Sequence, residues 1–164
     1  MTRKYGYLGV FALIISMQFF SFCTPKDETG PGKVRWDSDV CVRCKMAVSD
    51  HYFSAQIRGA VEGKRTKLYF FDDLGCAVLW VEKQEWKDDP RTEMWVNDFN
   101  SGEWIDAKIS AYDHHKGLIT PMDFGLGATT DASDSTYTYT QSVEHIYKIR
   151  DAKKLKMKQK HPTM

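Results

Sequence analysis

From Leu8 to Phe22 the chain is an almost unbroken apolar run, LGVFALIISMQFFSF, with Arg3 and Lys4 ahead of it. That order of charge and apolar length is that of a secretory leader covering residues 1–22, and the run is shorter than the ~20 residues a membrane-crossing helix needs. Beyond it the pattern changes. Thr24 to Gly32 holds two prolines, two glycines and mixed charge with few apolar positions, so residues 23–32 are expected to form a flexible tether. Folding is expected to start near Lys33. Phe53, Ala55 and Ile57 alternate with more polar neighbours, Gly63 marks a turn, and KLYFF (Lys67–Phe71) suits a buried strand, which together predict a β-hairpin. Asp72-Asp73 can cap a helix from Leu74, on which Leu74, Ala77, Val78 and Val81 share a face; the pattern stops before Pro90.

A second round follows. EMWVND (Glu93–Asp98) and EWIDA (Glu103–Ala107) flank the turn residues Asn100-Ser101-Gly102, a second hairpin by its turn chemistry. KGLITPM (residues 116–122) is expected to be a strand and DFGLGATTDASDS a glycine-spaced loop. In the last segment Val143, Ile146 and Tyr147 suit a helix, with the preceding threonines as strand or cap. The fold class is therefore α+β. The order of elements suggests two ββαβ-like halves, 33–90 and 91–152, each hairpin packed with one helix, and a basic tail over 153–164. No residue-level repeat accompanies that order.

Charge narrows the function classes. With 23 basic and 22 acidic side chains the chain is nearly neutral, which argues against a nucleic-acid surface. Basic residues do gather from Arg150 to His161, as a solvated terminus or as a contact for anionic lipid. Cys23 ends the apolar run, so cleavage before it would give a lipidated N-terminus, although Phe22 stands where a small residue is usual. Export would place the other three of the four cysteines in an oxidising compartment. Three is odd, and a chain of this length builds a core without staples, so a structural disulfide framework is not expected.

Chemistry concentrates in DSDVCVRCKMAVSD, residues 37–50. Cys41-x-x-Cys44 could be a thiol–disulfide oxidoreductase couple, but such a couple sits at a helix N-terminus and no helical stripe follows Cys44. A structural zinc site needs four ligands, which Cys76 and a histidine would have to complete. Copper(I) suits the donors best, because thiolate and thioether are the ligands that favour a soft ion, and Met46 follows Cys44 by two, on one face if the segment is extended. Cys76, in the first turn of the expected helix, is open to two readings: a thiol activated by the helix dipole, or a small buried hydrophobe. Asp72 and Asp73 are capping residues before they are ligands, and the five tryptophans are expected in the core or at its rim.

DVCVRCKMAVSDHYFSAQI, then YFFDDLGCAVLW, then WIDA and TPMDFGLGA, in that order from about Arg35 to Ala128, resemble the nitrous oxide reductase accessory protein family, NosL. The resemblance implies a periplasmic, membrane-anchored lipoprotein, not an enzyme, with an alkylmercury-lyase-like fold. It would bind copper(I) and deliver it to nitrous oxide reductase or its membrane assembly machinery. On that resemblance Cys41, Cys44, Met46 and Met122 are the metal ligands, Cys23 is the lipidated residue, and Cys76, His114 and His115 are possible additional ligands. Two positions depart from the family pattern: Lys45 stands where glycine is expected, and Asp123 where some relatives carry glycine or histidine.

Overall fold

A computed structural model describes residues 28–133 and 135–160; the leader, Cys23, the first part of the tether and residues 161–164 lie outside them. Six strands and two helices alternate along the described chain: β1 (Ala55–Gly59), β2 (Lys67–Phe71), α1 (Leu74–Val81), β3 (Glu93–Asn97), β4 (Trp104–Asp106), β5 (Ala111–Asp113), β6 (Gly127–Thr129) and α2 (Tyr139–Lys160). The fold class is α+β with antiparallel sheets. The two expected hairpins do not stand apart in separate halves. β1 pairs with β3 as well as β2, so a single sheet runs in the order β2-β1-β3-β4, with Ala55 opposite both Phe71 and Val96.

β1 is buried along its whole length, including Gln56 and Arg58. Two buried polar side chains in a central strand need partners, and the segment 28–32 supplies them. Gln56 Nε2 donates to the Gly32 carbonyl at 3.0 Å and its Oε1 accepts from the Gly32 amide at 2.8 Å, while Arg58 reaches the Gly30 carbonyl and the Glu28 carboxylate. The chain is thus fixed to the domain from Glu28 onward, earlier than the tether reading placed it. Ala55, Ile57 and Phe71 form the opposite, apolar side with α1, and at its edge Tyr69 stacks on Trp86 while Trp80 meets both rings at an angle.

Asp73 caps α1 with extended backbone, and its side chain accepts from the Gly75 amide at 2.6 Å, as the sequence predicts. Six of the eight helix residues, Leu74 to Leu79, are buried. The expected strand at residues 116–122 does not form. Gly117 turns the chain with φ +99° and Ile119 is exposed. The strand lies just before it, as β5, and pairs with β6 inside the expected glycine-spaced loop. This small sheet joins the main one at Asp98, which bridges Ala128 and whose carboxylate accepts from the Thr130 amide. α2 opens with a reciprocal cap: the Thr138 amide donates to Gln141 Oε1, and the Gln141 amide to Thr138 Oγ1. It buries Ser142 and Ile146 and continues as helix through residues 153–160, the described part of the expected tail. No helix of the described residues is long and apolar enough to cross a membrane.

Candidate metal centre

Residues 37–50 fold back on themselves as a short antiparallel ladder. Val40 bridges Ala47, the Cys41 amide donates to the Met46 carbonyl at 2.9 Å, and the Val48 amide donates to the Asp39 carbonyl. Between the two arms Val42, Arg43 and Cys44 form a turn closed by the Lys45 amide donating to the Cys41 carbonyl. The turn requires a left-handed residue, and Lys45 supplies it with φ +67°. This corrects one expectation. The segment is not extended at Cys44, so strand alternation does not bring Cys44 and Met46 to one face; the Met46 side chain is 45% exposed.

The Val42 amide donates to the Phe70 carbonyl at 3.1 Å, which docks the turn on the end of β2. β2 leads through Asp72-Asp73 into α1, so Cys76, one turn into the helix, arrives under the turn. The Sγ atoms of Cys41, Cys44 and Cys76 lie within 4.8 Å of one another. All three are free thiols; Cys41 and Cys76 are buried and Cys44 is partly exposed. Among the described residues this is the one group of three histidine, cysteine or acidic side chains with ligand atoms so close.

The three sulfurs share protons unequally. A hydrogen bond from the Cys76 thiol, assisted by the amides of Cys44 and Asp72, holds Cys41 far below the ordinary thiol range despite its burial. Cys76 is driven up by the same hydrogen bond, then by burial, against the pull of Arg43. Cys44 is raised chiefly by burial. Of the three sulfurs, Cys41 is therefore the one whose surroundings favour the thiolate, while those of Cys44 and Cys76 favour the thiol. Arg43 Nη1 donates to Cys76 Sγ at 3.5 Å and supplies positive charge beside it. Asp72 lies against the cluster. Burial, followed by the charge on Cys41, raises its carboxyl to about 6, and Oδ2 is buried without a hydrogen-bond partner.

Met122 lies in the loop that packs on the start of α1. Its amide donates to Asp73 Oδ2 at 3.4 Å, and Lys153 of α2 donates to the carbonyls of Met122 and Asp123, which clamps the loop between the helices. The loop thus rests on the cap of the helix that carries Cys76. The turn here again needs left-handed backbone, and Asp123 takes φ +55°. His114 and His115 stand elsewhere, after β5: His114 stacks on Tyr137 at 3.6 Å and His115 pairs with Asp113. Neither belongs to the sulfur cluster. Cys23 lies outside the described residues.

The donor set fits a soft ion. With metal–sulfur bonds of roughly 2.3 Å, three sulfurs in a trigonal plane stand about 4 Å apart, a spacing that these side chains can reach from where they are. Among the described residues no carboxylate or imidazole joins them as a fourth ligand within that spacing, which suits copper(I) better than a closed tetrahedral zinc site. The two cysteines of the C-x-x-C occupy a turn and not a helix N-terminus, so the arrangement that activates thioredoxin-type couples is absent from this site.

No protein-family profile matches the chain, and no curated protein does. Among solved structures, the crystal structure of the copper chaperone NosL from Shewanella denitrificans resembles it with a TM-score of 0.51, over 66% of this chain and 84% of that one, at 12% sequence identity. At that identity the likeness is one of fold.

Proposed function

We propose that this chain is a copper(I) carrier that holds the ion among the sulfurs of Cys41, Cys44 and Cys76 and passes it on by ligand exchange. The observation that carries this is the convergence of three free thiols, from a turn and a helix, with their sulfurs within 4.8 Å of one another. The likeness of its fold to that of a copper chaperone supports the reading. The buried pair Cys41 and Cys76 forms the floor of the site. Cys44, partly exposed, is the edge at which an incoming ligand can bind before the outgoing one leaves. The thioethers of Met46, which is exposed two residues after Cys44, and Met122, on the loop against the helix cap, are proposed to assist such an exchange.

The finer reading follows the sequence resemblance. The protein works in the periplasm as a lipoprotein anchored through Cys23, and delivers copper for maturation of nitrous oxide reductase, directly or through its membrane assembly machinery. The leader and the position of Cys23 at its end support the location. It performs no catalytic step.

Anaerobic titration of the reduced protein against a chromophoric copper(I) chelator tests the core of the proposal. One tightly bound ion per chain is expected, and little tight binding after air oxidation has joined the thiols. Serine at position 41, 44 or 76 should weaken binding by more than the roughly 10–100-fold that loss of an outer-shell partner costs. Tight stoichiometric binding by the oxidised protein, or by the triple serine variant, would overturn the three-sulfur site. Unfolding on treatment with a zinc chelator would instead support a structural zinc site.

A further inference from the structure

Beside the sulfur cluster a cleft of about 170 Å³ opens between the Cys41–Met46 turn, the end of α1 and the exposed half of α2, lined by Arg43, Leu79, Glu82, Lys83, Arg150 and Lys154. Four of those side chains are cationic and one is acidic. Arg150 is engaged, since its guanidinium pairs with Asp151 through Nε and Nη2 and lies over the Tyr147 ring. Arg43 is the side chain shared between the cleft and the metal centre. It lines the cleft while Nη1 donates to Cys76 Sγ at 3.5 Å. From the cleft α2 runs on through Lys156, Lys158 and Lys160 with no acidic residue, and Leu155 and Met157 are exposed on the same stretch.

We infer that this cleft receives a carboxylate side chain of an acidic protein partner, and that Arg43, by turning from the Cys76 sulfur to that carboxylate, weakens the hold on the ion as the partner docks. The inference rests on the copper reading above and names the partner's chemistry and the release step. Three thiolates around one copper(I) carry a net charge of about −2 by formal count, and a guanidinium against one sulfur offsets part of it. A carboxylate in the cleft offers the same guanidinium a two-pronged, charge-assisted partner. Both cannot have it fully. Occupation of the cleft then lowers affinity for the ion, and by reciprocity the bound ion weakens docking, so the emptied carrier is the form that the acidic surface holds better. A protein surface is the fitting occupant because the cleft is only large enough for one side-chain anion, and α2 continues beyond it with Lys156, Lys158 and Lys160, exposed Leu155 and Met157 and no acidic residue, positive charge within reach of an acidic surface that docks across the end of the helix.

The test measures copper(I) affinity of the full, reduced chain by chelator competition at fixed ionic strength, with hexaglutamate as the probe and hexaglutamine as control. Carboxylate oxygens are hard donors and do not compete for copper(I). Hexaglutamate should weaken the affinity roughly tenfold, within the ordinary range of coupling between sites, and hexaglutamine should leave it unchanged. Arg43→Gln should bind copper(I) more weakly at the outset and lose the response; Arg43→Lys should recover part of both. The double substitution Lys83→Gln and Lys154→Gln should blunt the response by weakening the peptide, whereas Lys67→Gln, at the start of β2, should keep it in full. Wild-type affinity indifferent to hexaglutamate, or an Arg43→Gln response equal to wild type, overturns the inference while leaving the carrier intact. Absence of tight copper(I) binding in wild type removes the carrier itself, and the inference with it.

Discussion

Lys45 and Asp123 carry positive φ values of 67° and 55°, in the two loops that meet at the start of α1. A Cβ in left-handed backbone costs about 1–2 kcal/mol, and glycine avoids it. The resemblance read from the sequence placed glycine at position 45 and glycine or histidine at position 123 in relatives; glycine there is a backbone requirement written in residue type, which a lysine and an aspartate hide here. Lys45→Gly should therefore raise stability by about 1 kcal/mol, less the exposed bond from Lys45 Nζ to the Val42 carbonyl. Urea unfolding of apo-protein would show this as a higher midpoint at unchanged slope, and a lower midpoint would contradict it. Proton bookkeeping at the cysteines gives a second expectation. Cys41 already lies below the thiol range while Cys44 and Cys76 are held above it. Between those limits copper(I) must expel roughly two protons, so its affinity should fall by about two logarithmic units for each unit of pH decrease near neutrality. A chelator-competition series from pH 6 to 8 with a slope of three would mean that Cys41 is protonated in the free protein. Cys41 and Cys44 were legible from spacing alone. Membership of Cys76 was not, because a buried free cysteine in a helix looks the same whether it packs or ligates.

The elements that position the site differ in how plainly the sequence announces them. β2 and α1 carry strong local signals, a run of aromatic and β-branched-like bulk ended by a capping aspartate, and both form where expected. β5 and β6 are three residues each and are held by tertiary pairing, which a local pattern does not encode. The expected strand at 116–122 failed for the same reason in reverse: apolar residues at Leu118 and Ile119 suggest burial, but Gly117 turns the chain and Ile119 faces outward. Gly75 is the point at which α1 packs closest on the loop that carries Met122 and Phe124. A Cβ there would enter the ring of Phe124, so glycine is required by close approach and not by its φ. Gly75→Ala should gain about 1 kcal/mol in helix propensity and lose more to overpacking, for a net loss of roughly 1–2 kcal/mol. Amide exchange should show the Met122 loop loosened relative to β1–β3. Unchanged protection with a raised urea midpoint would mean that Phe124 moves aside freely.

At the scale of the molecule, one sheet joins what the order of elements divides into two halves. β1 to β3 pairing could not be read from local periodicity, since each hairpin is complete in its own signals. That pairing also gives the domain two ends. Glu28 and Gly30 bond to Arg58 and Glu93, at the end of the sheet where β1 finishes and β3 begins. The cysteine turn is docked at Phe70, next to the opposite end, where β2 enters α1. Along the described residues the chain therefore enters the domain at one end and presents its sulfur at the other, alongside the basic half of α2. The central claim is that one copper(I) ion is held by three cysteine sulfurs, the third contributed by α1. X-ray absorption at the copper edge of the reduced, one-copper protein tests it most directly, with Cys76→Ser measured beside wild type. Three sulfur scatterers in wild type, and one fewer in the variant, are predicted. A copper shell dominated by nitrogen or oxygen, or a sulfur count that the Cys76→Ser substitution leaves unchanged, would contradict it.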